Sequence, residues 1–380
     1  MSSTRGGEWV AKAKQLGPAL AEAAARCDAE GQFVRGSYAV LRQERFFAMA
    51  VPADLGGGGA GHRELCQTIA ELGRHCGSTA LAFSMHSHLV AATVWKHLQG
   101  QPVEALLRKV AAEQIVLLST GASDWVDSNG TLTKVEGGYR LTARKIFGSG
   151  GPAADLIITS AQYDDPGQGP QVLHFAVPTS AEGLTFLSDW NTLGMRGTGS
   201  NTVVMDGVFV PEQAISLRRP RGPWHPAWSV VLTVAAPIYM SPYMGIAEEA
   251  RTVALARAQK SADLPHMPYL AGELENLLAQ TRLAWTSMID NAAEYAFTPE
   301  LARANAALVA KTLFAEAAMA TVHKAMEMSG GAGFFRSCPL ERMMRDVYAA
   351  PYHALPEKRQ HLFTGRIALG RDPITGQPSG

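Results

Sequence analysis

Histidines and clustered hydroxyls are the residues of this chain best suited to chemistry. His353 lies in the segment Ala350-Pro351-Tyr352-His353-Ala354-Leu355-Pro356, and His86 and His88 share Phe83-Ser84-Met85-His86-Ser87-His88-Leu89. An imidazole titrates near neutrality, so it can deliver a proton or hydrogen-bond to a developing charge. Hydroxyls gather in Leu118-Ser119-Thr120-Gly121-Ala122-Ser123-Asp124, and a single one, Ser149, stands in Lys145-Ile146-Phe147-Gly148-Ser149-Gly150-Gly151. A third stretch, Trp190-Asn191-Thr192-Leu193-Gly194-Met195-Arg196-Gly197-Thr198-Gly199-Ser200, sets three glycines among small hydroxyl residues. Glycine lets backbone approach a ligand closely, because no Cβ stands in the way. Metal chemistry has no support. Cys27, Cys66, Cys76 and Cys338 lack metal-ligand spacing and read as buried free thiols.

These residues need elements to hold them. Residues 1–114 read as a helical domain, with apolar helical spacing over Ala11–Cys27, Glu64–Arg74 and Thr79–Leu98 and a glycine-rich break at Val51–Gly59. Residues 115–218 read as a compact antiparallel β-domain. Its strands are expected at Ile115–Ser119, Thr131–Val135, Tyr139–Ala143, Leu156–Ser160, Val172–Val177 and Leu184–Leu187, ending with Val203–Val210. Gly137-Gly138 marks a hairpin turn. Residues 219–380 read as helical again. There Thr298-Pro299-Glu300 looks like a helix start and Gly330-Gly331 like a stop. The fold class is α+β.

The 380 residues are 47% hydrophobic and 18% charged with zero formal net charge, an ordinary globular balance with nothing to attract nucleic acid. The longest apolar run, Val230–Met240, is too short to span a bilayer, and no secretory pattern opens the chain. A cytoplasmic protein is expected.

The three hydroxyl segments together resemble the acyl-CoA dehydrogenase superfamily. Its "LTEPxAGSD" element corresponds to Leu118–Asp124, its "K.WITNG" to Lys145–Gly151, and its "LGMRGT/S" with a following "F.nV.VP" strand to Leu193–Pro211. Met328-Ser329-Gly330-Gly331-Ala332-Gly333-Phe334 is similar to the family's "ilGGxGy", and Pro339–Asp346 to its "P.eR.yRD". The resemblance implies bound FAD, rather than FMN, and a dimer or tetramer. It assigns Thr120 and Ser123 to the flavin ring and pyrophosphate, Phe147 to the face of the isoalloxazine and Ser149, as a hydroxyl donor, to flavin N5. Gly330 and Gly331 would bind pyrophosphate or the adenine-side ribose. Arg257 and Gln259 fall where the family has "R.QFG", whose arginine reaches a neighbouring subunit's cofactor. The Phe-Gly half is replaced here by Lys260-Ser261, and a plain exposed helical arginine suits the position as well.

The chain departs from the dehydrogenases at the base. They take the substrate's α-proton with a carboxylate, either eight residues after the "RD" aspartate or in the long helix further upstream. Ala354 holds the first place, and Val234-Ala235-Ala236-Pro237-Ile238 stands at the second. His353, one residue earlier, resembles the superfamily's monooxygenase branch. The resemblance then implies an oxygenase that uses a flavin–oxygen adduct on a small organic or aromatic substrate, free or as a CoA thioester, with His353, Ser149 and His86 around the oxygen. Electrons would come from a separate flavin reductase or from the substrate. Two rivals remain open: an acyl-CoA dehydrogenase whose base is displaced to Glu248 or Glu249, and a catalytically silent relative that binds acyl-CoA or a partner. Arg218–Met244 reads as the pocket-forming region; its Trp224, Trp228, Tyr239 and Tyr243 suit an aromatic or compact ligand, and core packing accounts for them equally well.

Overall fold

A computed structural model describes residues 7–121 and 126–378. Helices come first: α1 (Glu8–Glu30), α2 (Arg35–Gln43), α3 (His62–His75), α4 (Gly77–Leu98) and α5 (Glu104–Glu113). The strands follow as β1 (Leu117–Ser119), β2 (Thr131–Val135), β3 (Gly138–Gly148), β4 (Leu156–Asp165), β5 (Gly169–Pro178), β6 (Leu184–Phe186), β7 (Asn201–Pro211) and β8 (Ile215–Pro220). Then come α6 (Pro226–Ala258), α7 (Met267–Ala292), α8 (Leu301–Ser329), α9 (Pro339–Val347) and α10 (Glu357–Ala368). Helices, sheet, helices is the expected order.

The sheet runs β6-β7-β3-β2-β4-β5-β8, with β1 added beside β4. The hairpin turns where Gly137 allows it, at φ 74°, and Val135 pairs with Gly138. Two expectations about the sheet need correction. Val203–Val210 does not end the series, because Ile215–Pro220 adds an edge strand to β5. Nor is the sheet wholly antiparallel: β1 lies parallel to β4. That parallel strand carries Ser119 out of the helical layer and onto the sheet's rim.

Helix α6 organises the second helical layer. Pro226 opens it, and the His225 side chain accepts the Ala227 amide at 3.2 Å, so one free end donor is satisfied. Its most apolar window is 94% buried against neighbouring elements, which accounts for its hydrophobic length. Helix α8 begins at Leu301, later than expected, because Thr298 spends its hydroxyl on Glu300 instead of on an amide of the first turn. It stops at Gly330, where φ is 59°.

Candidate functional site

A cavity of about 500 Å³ lies between the sheet and helices α4 and α6. The sheet side is built by an irregularity. β3 and β7 lose register between Lys145 and Gly148, and Phe147 takes a φ of 62° within that bulge. A left-handed backbone is unusual for an aromatic residue and is the kind of strain found at functional sites. It leaves Phe147 on the cavity wall, 39% exposed, with its ring edge-on to Trp190 at 6.0 Å. Ser149 lines the same wall and pairs with Ser200 at 2.7 Å. Thr120 also lines it, donating to the Thr159 hydroxyl at 2.7 Å. Ser123 lies outside the described residues.

The helical wall brings His353 in. Its ring stacks on Tyr239 with centroids 4.9 Å apart, and Nε2 lies 2.8 Å from the Tyr243 hydroxyl. Burial raises the Tyr243 phenol well above its ordinary range, so it keeps its proton. No other acceptor for that proton occurs among the described residues, so Tyr243 donates to Nε2 and His353 is the Nδ1–H tautomer. Burial, then the Lys311 ammonium and His88, push the His353 imidazole down to about 3. The near-neutral titration expected for it therefore gives way to a neutral ring that donates a hydrogen bond. Lys311, itself pushed down to about 8 by burial, donates to the Leu355 carbonyl at 2.7 Å and to that of Ala354 at 3.2 Å. It thus tethers the loop that carries His353. Lys311→Met is expected to raise the His353 pKa, because a nearby cation is removed, and an NMR titration of the ring reads the shift directly.

His86 is corrected. It is buried away from the cavity, with both ring nitrogens committed to backbone. The Leu117 amide donates to Nδ1 at 2.9 Å, and Nε2 donates to the Phe47 carbonyl at 2.8 Å. It pins β1 to the helical layer. His86→Ala is expected to cost about 2–4 kcal/mol by orphaning both groups and opening space in the core, measured by chemical denaturation. His88 lines the cavity in its place. Its Nδ1 donates to the Ser84 carbonyl at 3.2 Å, which leaves Nε2 as an acceptor with no protein partner among the described residues.

Sequence reasoning missed His174, on β5. The buried Arg219 donates its Nε–H to His174 Nε2 at 3.1 Å, which places the ring proton on Nδ1. Burial and the Arg219 charge push His174 down to about 3. No local motif marks it, because only the pairing of β5 with β8 brings Arg219 alongside. Trp228, Tyr239 and Tyr243 line the cavity as expected, whereas Trp224 packs against Phe363 with centroids 5.0 Å apart.

Among the described residues no Asp or Glu lines the cavity, and Ala354 does. Glu248 is bound to Arg282 and Glu249 to Arg74, both outside the wall. Arg257, Gln259, Gly330 and Gly331 are exposed and also lie outside it. The glycines of the Trp190–Ser200 stretch serve packing more than ligand approach. A Cβ on Gly194 would collide with the Arg345 carbonyl, and one on Gly197 with Val34 and Ser78. Arg345 fixes this junction, with bonds to Asp28 at 2.6 and 2.9 Å, to Glu341 and to the Leu193 carbonyl.

The cavity lies within the helix–sheet–helix order that the sequence resemblance implied. Residues 14–114, 119–208 and 233–352 match the N-terminal, middle and C-terminal domains of acyl-CoA dehydrogenase, and the chain belongs to that family. Within it, the chain is 29% identical to the amino sugar nitrososynthase DnmZ of Streptomyces peucetius, over 87% of this chain and 85% of the relative. It is 22% identical to the mitochondrial isovaleryl-CoA dehydrogenase of Oryza sativa subsp. japonica, over 91% and 87%. The crystal structure of a nitrososynthase from Micromonospora carbonacea var. africana superposes with a TM-score of 0.88 at 25% identity, covering 97% of this chain and 98% of that one.

Proposed function

We propose that this chain is a flavin-dependent oxygenase whose substrate is a small organic amine. The observation that carries the reading is the cavity wall, with three histidines and, among the described residues, no carboxylate. Desaturation of a thioester requires a base for the α-proton, and Ala354 cannot take one. An amine entering this cavity meets no counter-ion among the described residues, so burial favours its neutral form, which is also the nucleophilic one. Similarity to nitrososynthases supports nitrogen as the oxygenated atom.

The wall suits an isoalloxazine, which is flat, apolar at one end and rich in polar atoms at the other. Phe147 and Trp190 offer rings, and Thr120, Ser149 and Ser200 offer hydroxyls. A planar ligand would also cover the exposed face of the strained Phe147. When bound and reduced, the flavin supplies two electrons to O₂, so that one oxygen atom enters the substrate and the other leaves as water. Phe147, Thr120 and Ser149 hold the ring. His353 presents its Nδ1–H as a fixed donor, and His88 Nε2 is an acceptor that can orient the amine. Val231, Leu232 and Ala235 exclude water. Arg257, Gln259, Gly330 and Gly331 would serve the far end of FAD, or the cofactor of a second copy in a dimer or tetramer; FMN would leave them unused.

Full-length protein loaded with flavin and reduced anaerobically would be mixed with ¹⁸O₂ and a panel of small amines and acyl-CoA thioesters. An amine product carrying ¹⁸O is expected, and flavin released by heat from protein purified without added flavin is expected to have the mass of FAD. Anaerobic bleaching of oxidised flavin by a thioester, with loss of two hydrogens from the substrate, would replace the oxygenase by a dehydrogenase.

A further inference from the structure

A chain of hydroxyls runs away from the cavity behind Ser149. Ser149 Oγ lies 2.7 Å from Ser200 Oγ, Ser200 Oγ lies 2.7 Å from Thr198 Oγ1, and Thr198 Oγ1 lies 2.9 Å from the Met195 carbonyl. A carbonyl has no proton to give, so at this distance the Thr198 hydroxyl must donate. Each hydroxyl carries one proton. With that of Thr198 spent on Met195, Ser200 donates to Thr198, and Ser149 donates to Ser200. The direction of the whole chain is fixed at its far end.

The surroundings hold this direction in place. Thr198 and Ser200 are buried, and the Met195 amide is bound to the buried Asp346 at 2.5 Å. The turn carrying Ser149 is tied to the same segment by the Gly150 amide, 2.9 Å from the Thr198 carbonyl. Ser149 has no further protein partner among the described residues, so what it turns to the cavity is lone pairs.

We infer that Ser200 and Thr198 make Ser149 a hydrogen-bond acceptor toward the cavity, and that this selects reduced flavin over oxidised flavin. The inference rests on the flavin reading above. N5 of an oxidised flavin bears a lone pair and needs a donor, whereas N5 of a reduced flavin bears a hydrogen and needs an acceptor. Ser149 as arranged matches only the second. Ser200 and Thr198 are positioning residues that act through Ser149. The same polarity reverses the expectation, carried by the family resemblance, of a hydroxyl donor at N5.

The test is equilibrium binding, without turnover. Full-length protein stripped of flavin is titrated anaerobically with FAD and with FMN, each oxidised and photoreduced, following flavin fluorescence and anisotropy. Wild type is expected to bind the reduced form about tenfold or more tighter. Ser200→Ala frees the Ser149 proton and is expected to lower that preference by about tenfold, chiefly by tightening the oxidised form. Ser200→Thr keeps the hydroxyl and is expected to keep the preference. Thr198→Val, close to the same shape, removes the anchor and is expected to act like Ser200→Ala, so a folding failure in one variant leaves the other. Flavin that binds with equal affinity in both redox states, or a preference unmoved by Ser200→Ala and Thr198→Val, overturns the hydroxyl chain alone. No flavin bound in either state overturns the flavin reading with it.

Discussion

His353→Ala is expected to lower oxygen transfer to the substrate by about 100-fold, while flavin affinity stays within about twofold. The lost group is a single donor whose direction is set by its neighbours. Tyr243 holds Nε2, Tyr239 holds the ring plane and Lys311 holds the loop. Such a donor helps because it does not have to reorient as charge develops on oxygen. The electrons would still reach O₂, so hydrogen peroxide should rise as labelled product falls. Tyr243→Phe removes the tautomer lock but leaves the ring, and a loss of about tenfold is expected. With the His353 pKa near 3 and that of Lys311 near 8, wild-type coupling should be flat from about pH 5 to 7. Unchanged coupling in His353→Ala, or a limb near pH 6.5 that this variant abolishes, would defeat the assignment.

Acid should destabilise the protein well before its carboxylates are protonated. Burial lowers His86 and His88 to about 4 and His174 and His353 to about 3. The unfolded chain takes up these protons near pH 6.5, but the folded chain takes them only at the depressed values. Unfolding therefore binds protons below pH 6.5, and stability is complete above that value and lost as pH falls toward 3. His62 and His225, also lowered by burial, act in the same sense, and Asp346, raised to about 6 by burial, acts in the opposite one. A fall in Tm of about 10 °C or more is expected between pH 7 and 4.5, measured by calorimetry at constant ionic strength. A Tm that is flat or rising over that interval would mean that the folded chain holds these rings near their ordinary titration range.

Local signals in the sequence carried most of the fold. Helical spacing marked α1, α3 and α4, and alternation around Gly137 marked the β2–β3 hairpin. The misses have physical causes. β8 is short and carries Arg218 and Arg219, so it lacks the apolar alternation of a strand, yet its pairing with β5 is what fixes His174. His86 and His88 sit two residues apart on one helix, and two residues turn a helix by more than half a revolution. One therefore faces backbone and the other the cavity, which composition alone could not decide. The hydroxyls of Thr198, Ser200 and Ser149 lie within recognisable motifs, but the direction of their protons depends on the Met195 carbonyl, a main-chain atom that no motif records.

The clamp of Arg345 on Asp28 joins residues 317 positions apart, and the cavity wall draws on residues from Leu81 to Ala354. During synthesis the helical and sheet layers that emerge first have no finished pocket to offer. The wall is complete only once Ala354 has left the ribosome. A flavin cannot template the early steps of folding here. It must be captured by a scaffold that already stands, which makes loading a late event, separable from folding itself.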